Sequence, residues 1–426
     1  MAEVSAQPQE PKRPRSDRLI KILLGAAAVL IVVIVGIASF VAGRESKSTD
    51  SAAADTGSAA DQFNYDELNQ IHDLLEKYYV QPENLDNQAL FEAAINGMLG
   101  LINDAGTYYV NPDDFKLSTT LTGSFDGIGA TVASQSNEIV IVAPIKGTPA
   151  EKAGLVSGDA ILAVDGESTD GWTVDKTVLK IRGTKGTPVT IKIKHTDGTV
   201  QDYTLTRDTV QVDSVTTDPP SGKLTDTKGN TVNNIGYVYI REFTPRTPQE
   251  LETAVQSELA QGAKGLIIDV RSDPGGLLDS AITIADQFLD NGTILIERNA
   301  AGQEVTHSAQ KGQLAADIPI VMVQDRFSAS ASEILLAALR ENGRATSVGE
   351  TSFGKGTVNS AHKLPDGGAL FVSIEEWLTP DHTLISRVGL TPDVAVTPTD
   401  EDIDTRNDVQ LQRAVEVMQG KMAQSP

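Results

Sequence analysis

The chain has 426 residues, 40% of them apolar and 22% charged, which predicts a globular protein of about two or three domains. A net charge of -23 and an aromatic content of 5% disfavour nucleic acid as a partner, because an acidic surface repels phosphates and few rings are present for base stacking. The absence of cysteine excludes disulfides and a cysteine nucleophile. The five histidines show no metal-binding spacing, so we expect neither a metal nor an organic cofactor.

The N-terminal part predicts a membrane helix. Residues 22–42 carry no charge and are long enough to span a bilayer's hydrocarbon core. The preceding tail, residues 1–21, is basic, so the positive-inside rule places it in the cytoplasm and the remainder of the chain outside. We therefore expect a single-pass protein of the cell membrane. The alternative is a cleaved secretory signal, which would export the same residues.

The next two segments predict a tether and a helical region. Residues 43–61 are small and polar, which is typical of a flexible linker. In the region 62–122, residues 63–77 and 88–101 carry apolar side chains at helical spacing. We expect these helices to pack on the core without taking part in chemistry.

Residues 123–208 predict a small domain rich in β-strands. Short runs such as IVIVAPI, AILAVDG and VTIKIKH alternate with glycine-rich turns. The glycines of the loop 124–130 can leave backbone N–H groups free to bind an anion. The strand that follows can accept an extended peptide along its edge.

Residues 209–400 predict an α/β core. Strand-like runs occur at residues 235–240, 265–270, 293–297, 319–323 and 369–374. Helical patterns occur between and after them, at residues 247–260, 277–289 and 330–342. This alternation indicates a partly parallel sheet with helices packed on it. The final segment, 401–426, contains one more predicted helix, at residues 407–422.

Three segments of the core combine residues that suit acyl-transfer chemistry. The segment SASASE places Ser330 between a buried strand and a helix, where free N–H groups can stabilise an oxyanion. The segment RSDPGG supplies Gly275 and Gly276, whose N–H groups can join that of Ala331 in an oxyanion hole. In the segment FGKG, Lys355 can act as a base if burial lowers its pKa.

Each of these segments also has a purely structural interpretation. Ser330 with Glu333 matches a helix capping box, the two glycines suit an ordinary tight turn, and a lone lysine is usually solvated. Residues 349–355 nearly match a phosphate-binding loop. Gly356, however, occupies the position where a magnesium-binding hydroxyl is needed, so nucleotide binding is not expected.

The order of these motifs resembles the carboxyl-terminal processing peptidases, or tail-specific proteases. The runs DRFSASASEILLAAL and RATSVGETSFGKGTV carry the resemblance, which extends over residues 63–399. The runs GIGATV and GTPAEKAGLVSGDAILAVDG are similar to that family's PDZ domain. The resemblance implies a crotonase-like α/β core with an inserted PDZ domain.

The resemblance also implies roles for individual residues. Ser330 matches the family's nucleophile and Lys355 its general base. Asn359 occupies the position of a glutamine that often orients the lysine, and Asp273 stands where asparagine is common. Arg182 matches an arginine that couples the PDZ domain to the active site in some relatives.

We therefore predict a serine endopeptidase that cleaves exported proteins near their C-termini. Its partners would be proteins or peptides with exposed C-termini, captured by the PDZ loop through Gly127, Ile128 and Gly129. The C-terminal helix would form either a homo-oligomer contact or simple packing. The main alternative is a catalytically silent, membrane-tethered PDZ scaffold. A trypsin-like peptidase with a histidine base would need motifs that are not present.

Overall fold

The computed structural model describes residues 65–102, 104, 106–118, 123–135 and 138–424, except for the side chains of residues 116–118. The N-terminal region forms helix α1 (Tyr65–Tyr78), a 3-10 turn (Pro82–Asn84) and helix α2 (Asn87–Gly100), as predicted. No residue of α1 is buried, and only Leu99 is buried in α2. The expectation that both helices pack on the core is therefore wrong for α1.

The predicted transmembrane helix, residues 22–42, lies outside the described residues. In the part of the chain that the structure describes, no helix is long and apolar enough to cross a membrane. The longest, Val409–Gln424, has 16 residues and carries charged side chains, whereas a span needs about 20 apolar residues. The fold class is corrected accordingly: the α/β core and the inserted β-rich domain fit, but the transmembrane helix and the single-pass membrane location are not supported.

The inserted domain is a six-stranded antiparallel sheet with two short helices. Its sheet has the order β3-β4-β5-β7-β8, with β6 paired to β5. The elements are β3 (Ala130–Gln135), β4 (Glu138–Pro144), α4 (Pro149–Lys152), β5 (Ala160–Val164), β6 (Glu167–Ser168), α5 (Val174–Ile181), β7 (Pro188–Lys194) and β8 (Val200–Thr206). Because β3 lies at the edge of this sheet, its outer backbone groups remain open to a further strand.

A two-stranded ribbon joins the inserted domain to the core. It consists of β2 (Ser124–Gly127) and β9 (Asp208–Gln211), which pair antiparallel. Beyond the ribbon, the Val212 N–H donates to the Gly123 carbonyl, at 3.1 Å. The guanidinium of Arg246 donates to the carbonyls of both residues, at 2.8 Å to Gly123 and 2.6 Å to Val212. The two linkers are thus paired with each other and held to the core by one side chain.

The core contains two sheets. The first has the order β10-β11-β12-β15-β16-β19 and is parallel except for the pairing of β10 with β11. Its strands are β10 (Val215–Thr216), β11 (Gly236–Ile240), β12 (Leu266–Asp269), β15 (Ile320–Gln324), β16 (Ala345–Gly349) and β19 (Val394–Ala395). The second is antiparallel and comprises β1 (Tyr108–Val110), β13 (Thr293–Asn299), β14 (Glu304–Ser308), β17 (Thr357–Lys363) and β18 (Ala369–Leu378).

Helices cover both faces of the parallel sheet. These helices are α6 (Thr247–Ala260), α7 (Leu278–Phe288), α8 (Ala331–Glu341) and α10 (Val409–Gln424). The chain also contains two short helices, α3 (Pro112–Ser118) and α9 (Asp400–Thr405). Side chains of β12 alternate: Leu266 and Ile268 join the cluster that includes α6, α7 and α8, while Ile267 joins the cluster that includes α10. Burial on both faces explains why these strands read as continuous apolar runs.

Candidate active site

Ser330 lies at the junction of strand β15 and helix α8. It is the N-cap residue of α8 and adopts φ 57° and ψ -116°, a conformation that non-glycine residues rarely take. Its side chain is 8% exposed. The turn therefore holds a serine in a strained backbone conformation at the carboxyl edge of a parallel sheet, where strain often accompanies function.

Ser330 differs from the two neighbouring serines, Ser328 and Ser332, in its hydrogen bonding. The Ser328 hydroxyl donates to the Val270 carbonyl at 2.8 Å, and the Ser332 hydroxyl donates to the Asp273 carbonyl at 3.1 Å. Both side chains are fully buried. The Ser330 hydroxyl donates no hydrogen bond to any described residue, and its oxygen acts only as the helix cap that faces the Glu333 N–H. Of the three serines, Ser330 therefore has the hydroxyl that is free to react.

The two glycines of the segment after β12 let that loop approach the Ser330 turn. Gly275 has a φ of 100°, and a Cβ there would lie 2.6 Å from the Ala329 carbonyl oxygen and 2.8 Å from the Cβ of Ser330. A Cβ on Gly276 would lie 2.2 Å from the carbonyl oxygen of Phe243. No other residue type fits either position without moving the backbone, so glycine is needed for close approach and not only for the turn.

The predicted oxyanion donors differ in their availability. The Gly275 N–H is occupied, because it donates to Asp273 Oδ1 at 2.8 Å. The N–H groups of Gly276 and Ala331 donate to no other residue in the described part of the chain. The structure thus leaves two of the three predicted donors without a partner among the described residues.

Lys355 lies in a buried loop immediately before β17. Its side chain is only 4% exposed, and its carbonyl accepts a hydrogen bond from the Trp377 indole at 2.9 Å. Burial lowers the pKa of Lys355 to about 8, although the negative charges of Glu333 and Asp104 oppose this shift. The interpretation as a solvated loop lysine is therefore wrong.

Glu333 connects the serine segment to the lysine segment. The side chain is fully buried, and one carboxylate oxygen accepts the N–H groups of both Ser330 and Lys355, each at 2.9 Å. The other oxygen accepts the Ser352 hydroxyl and the Gly354 N–H, each at 2.6 Å. Burial raises the pKa of Glu333, but all four partners are donors, which suits the ionised carboxylate. The sequence predicted only a helix cap at Glu333. In the structure the same carboxylate also contacts the loop that carries Lys355.

Asn359 makes its hydrogen bonds away from Lys355. Its amide nitrogen donates to the Gly106 carbonyl, and its amide oxygen accepts from the Thr357 hydroxyl at 3.3 Å. No hydrogen bond joins Asn359 to Lys355, although both residues are described. The amide therefore links the segment before β1 to strand β17 by hydrogen bonds. The same segment contains Asp104, whose negative charge raises the pKa of Lys355.

The loop from Gly127 to Gly129 lies between the ribbon and the edge strand β3. Gly129 has a φ of 77°, and a Cβ there would lie 2.4 Å from the side chain of Thr148. Neither Ile128 nor Gly129 donates its N–H to another described residue. Arg182 follows helix α5, and its guanidinium lies 4.4 Å from the centre of the Phe125 ring, next to this loop. The predicted loop residues and Arg182 are thus brought together.

The described residues contain no group of three or more His, Cys, Asp or Glu side chains that is arranged to hold a metal ion. The site combines a free hydroxyl, a buried amine and backbone N–H groups. This combination suits acyl transfer through a serine nucleophile.

Comparison with known proteins identifies the family. The model of peptidase family S41 matches residues 234–396, and that of the PDZ domain matches residues 117–194. The chain is 36% identical over 332 residues to the carboxy-terminal processing protease CtpA of Bacillus subtilis, covering 78% of this chain and 68% of that protein. It is 35% identical over 357 residues to the carboxyl-terminal-processing protease of Synechocystis sp., covering 82% and 81%. The chain belongs to peptidase family S41.

This S41 peptidase is also similar to proteins of solved structure. It is similar to the solved photosystem II D1 C-terminal processing protease, with 26% identity, a TM-score of 0.44, and coverage of 81% of this chain and 90% of that one. The predicted resemblance to C-terminal processing peptidases and the predicted enzyme class, a serine peptidase with a PDZ domain, are confirmed. The alternative of a silent PDZ scaffold is not favoured. The predicted membrane tether and homo-oligomer have no support in the described part of the chain.

Proposed function

We propose that this S41 peptidase cleaves protein substrates near their C-termini with Ser330 as nucleophile and Lys355 as general base. The observation that carries the proposal is the shared oxygen of Glu333, which bonds the backbone of both residues and so fixes the two segments side by side. In support, the Ser330 hydroxyl donates to no described residue, and the Lys355 amine is bonded to none. Each is thus available to the other when substrate binds.

In the first step, neutral Lys355 accepts the proton of the Ser330 hydroxyl while the serine oxygen attacks the scissile carbonyl. A lysine with a pKa of about 8 is substantially neutral near that pH, which makes it a usable base. The ammonium that forms is stabilised by the carboxylates of Glu333 and Asp104, whose charges favour its protonated state. The N–H groups of Gly276 and Ala331 would donate to the oxyanion.

In the second step, collapse of the tetrahedral intermediate transfers the proton from Lys355 to the leaving amine and forms an acyl-enzyme at Ser330. Water then attacks the ester while Lys355 accepts one of its protons. When the second tetrahedral intermediate collapses, Lys355 returns that proton to the Ser330 oxygen, and the carboxylic acid product leaves. No step requires a further group.

We propose that the PDZ domain selects the substrate by its C-terminal carboxylate. The free N–H groups of Ile128 and Gly129 suit an anion, and the open edge of β3 suits an added strand. Arg182, next to this loop, adds a positive charge that would favour the same ligand. The names of the relatives, which refer to carboxy-terminal processing, agree with this substrate class.

Cleavage of an unstructured protein tests the dyad. We expect Ser330→Ala and Lys355→Ala to lose activity by at least about a thousandfold, since each removes a member of the acyl-transfer machinery. Lys363→Ala, at an exposed lysine of the same region, is the matched control and should retain activity. Wild-type turnover by Lys355→Ala would rule out Lys355 as the base. A substrate with an amidated C-terminus tests tail capture: its KM should rise by about tenfold or more, and an unchanged KM would contradict carboxylate recognition.

A further inference from the structure

Asp273 lies beneath the glycine loop and contacts both sides of the Ser330 turn. Its side chain is fully buried, and its Oδ1 accepts the Gly275 N–H at 2.8 Å. Its backbone carbonyl accepts the Ala329 N–H at 3.0 Å and the Ser332 hydroxyl at 3.1 Å. One residue is therefore bonded to the loop that carries the oxyanion donors and to the residues on either side of Ser330.

The second carboxyl oxygen of Asp273 has no hydrogen-bond partner. Oδ2 is buried and has no hydrogen-bond partner among the described residues. The nearby Ser332 hydroxyl donates to the backbone carbonyl of Asp273 and opposes only part of the rise in the pKa of the carboxyl. An ionised carboxylate that receives a single hydrogen bond in a fully buried site is strongly disfavoured, because desolvation of the charge is not compensated. A protonated carboxyl fits these contacts, with Oδ1 as the accepting carbonyl oxygen and the proton on Oδ2.

The groups that face Asp273 also favour its neutral form. They are Tyr239 of β11, Glu242 two residues after that strand, and Asp325 directly after β15. Burial raises the pKa of Tyr239 to about 12, so this phenol is neutral over the working range. Burial raises the pKa of Glu242 to about 7, so its carboxyl is negative at alkaline pH. Its charge and that of Asp325 repel an ionised Asp273. Burial, reinforced by these two charges, raises the pKa of Asp273 well above its usual range.

We propose that Asp273 is a positioning residue that works as a neutral acid and fixes the glycine loop against the Ser330 turn. This inference deepens the proposed function and rests on it. When the carboxyl ionises, an unpaired charge appears between the loop and the turn, and the loop moves to admit water. The oxyanion donors then lose their alignment, and activity falls at alkaline pH.

The two titrations act in opposite directions. Lys355 must be neutral, so activity rises as pH increases through about 8. Asp273 must be protonated, so the stability that it contributes is complete at low pH and is lost as pH rises through its raised pKa. The proposal requires Asp273 to stay protonated where Lys355 is neutral, so it predicts a bell-shaped dependence of kcat on pH and assigns the falling limb to Asp273.

Asp273→Asn separates this role from simple structural support. Asparagine keeps the acceptor for the Gly275 N–H and replaces the carboxyl O–H with an N–H, but it does not ionise. We expect kcat near the optimum to stay within about threefold of wild type and the alkaline limb to move up by about one pH unit or more. Asp273→Ala removes the acceptor, and its kcat should fall by about tenfold or more with KM little changed. An Asp273→Asn enzyme that keeps the wild-type alkaline limb, or that is as impaired as Asp273→Ala, would overturn the proposal.

Glu242→Gln provides a second test that leaves Asp273 in place. Removing one repelling charge lets Asp273 ionise more readily, so the alkaline limb should move down by about half a pH unit. Asp290→Asn, at an exposed turn, is the control and should leave the profile unchanged. An unmoved limb in Glu242→Gln contradicts the inference. Activity that survives Lys355→Ala would refute the proposed Ser330–Lys355 pair. Refutation of the Asp273 proposal can therefore be told apart from refutation of the proposed function.

Discussion

Replacing Glu333 by glutamine tests whether one buried carboxylate holds the serine and lysine segments together. The carboxylate accepts four hydrogen bonds, three of them from backbone N–H groups. Glutamine offers one accepting oxygen, and its NH2 group faces donors, so two donors are left without an acceptor. Each buried, unsatisfied donor costs about 1–3 kcal/mol, so we expect the free energy of unfolding to fall by about 2–6 kcal/mol.

The same substitution changes catalysis in two ways. Misplacement of Ser330 and Lys355 should lower kcat/KM by about a hundredfold. Removal of the negative charge of Glu333 should also lower the pKa of Lys355 below its value of about 8, because that charge favours the ammonium form. Since the neutral amine is the base, the rising limb of the activity profile should move to lower pH.

Urea denaturation and the pH dependence of peptide cleavage measure both effects of Glu333→Gln. Glu401→Gln, at an exposed position of α9, is the matched control and should change neither. A Glu333→Gln enzyme with wild-type stability and a rising limb at the wild-type pH would show that Glu333 neither stabilises the site nor raises the pKa of Lys355.

Three further substitutions test individual contacts. Gly275→Ala places a Cβ 2.6 Å from the Ala329 carbonyl oxygen, so we expect kcat/KM to fall by about a hundredfold in steady-state kinetics. Gly302→Ala, also at positive φ but facing open space, is its control and should retain activity. Arg246→Ala releases both linkers of the PDZ domain and should speed their proteolysis, while an unchanged rate would show that Arg246 does not hold them. Asn359→Ala should lower the free energy of unfolding by about 1 kcal/mol without moving the rising limb, and a shifted limb would assign it a role in orienting Lys355.

Local sequence signals were sufficient for the framework of the core. The pattern at residues 247–260, with proline at the second helical position, corresponds to helix Thr247–Ala260 at both ends. The segments with Gly275 and Ser330 each follow a buried strand. Because β12 and β15 are parallel neighbours, their carboxyl ends meet, and the two segments come together as expected.

Contacts between distant segments could not be derived from the sequence. The S-x-x-E pattern predicted the bond between Glu333 and the Ser330 backbone, but the bond to Lys355 depends on how the loop before β17 folds back. The hydrogen bond of Asn359 could not be predicted for the same reason, since its partner Gly106 lies 253 residues away in the chain. The burial of Asp273, which sets its protonation, likewise arises only from tertiary packing.

The pH dependence of fluorophosphonate labelling tests the Ser330–Lys355 pair most directly, because this probe reports on the nucleophile without requiring a natural substrate. We predict that labelling occurs at Ser330, is lost in Ser330→Ala and is nearly abolished in Lys355→Ala. In the wild-type protein its rate should rise with pH through an inflection at about 8, where Lys355 becomes neutral. Labelling that persists in Lys355→Ala, or an inflection near the histidine value of about 6.5, would contradict the account.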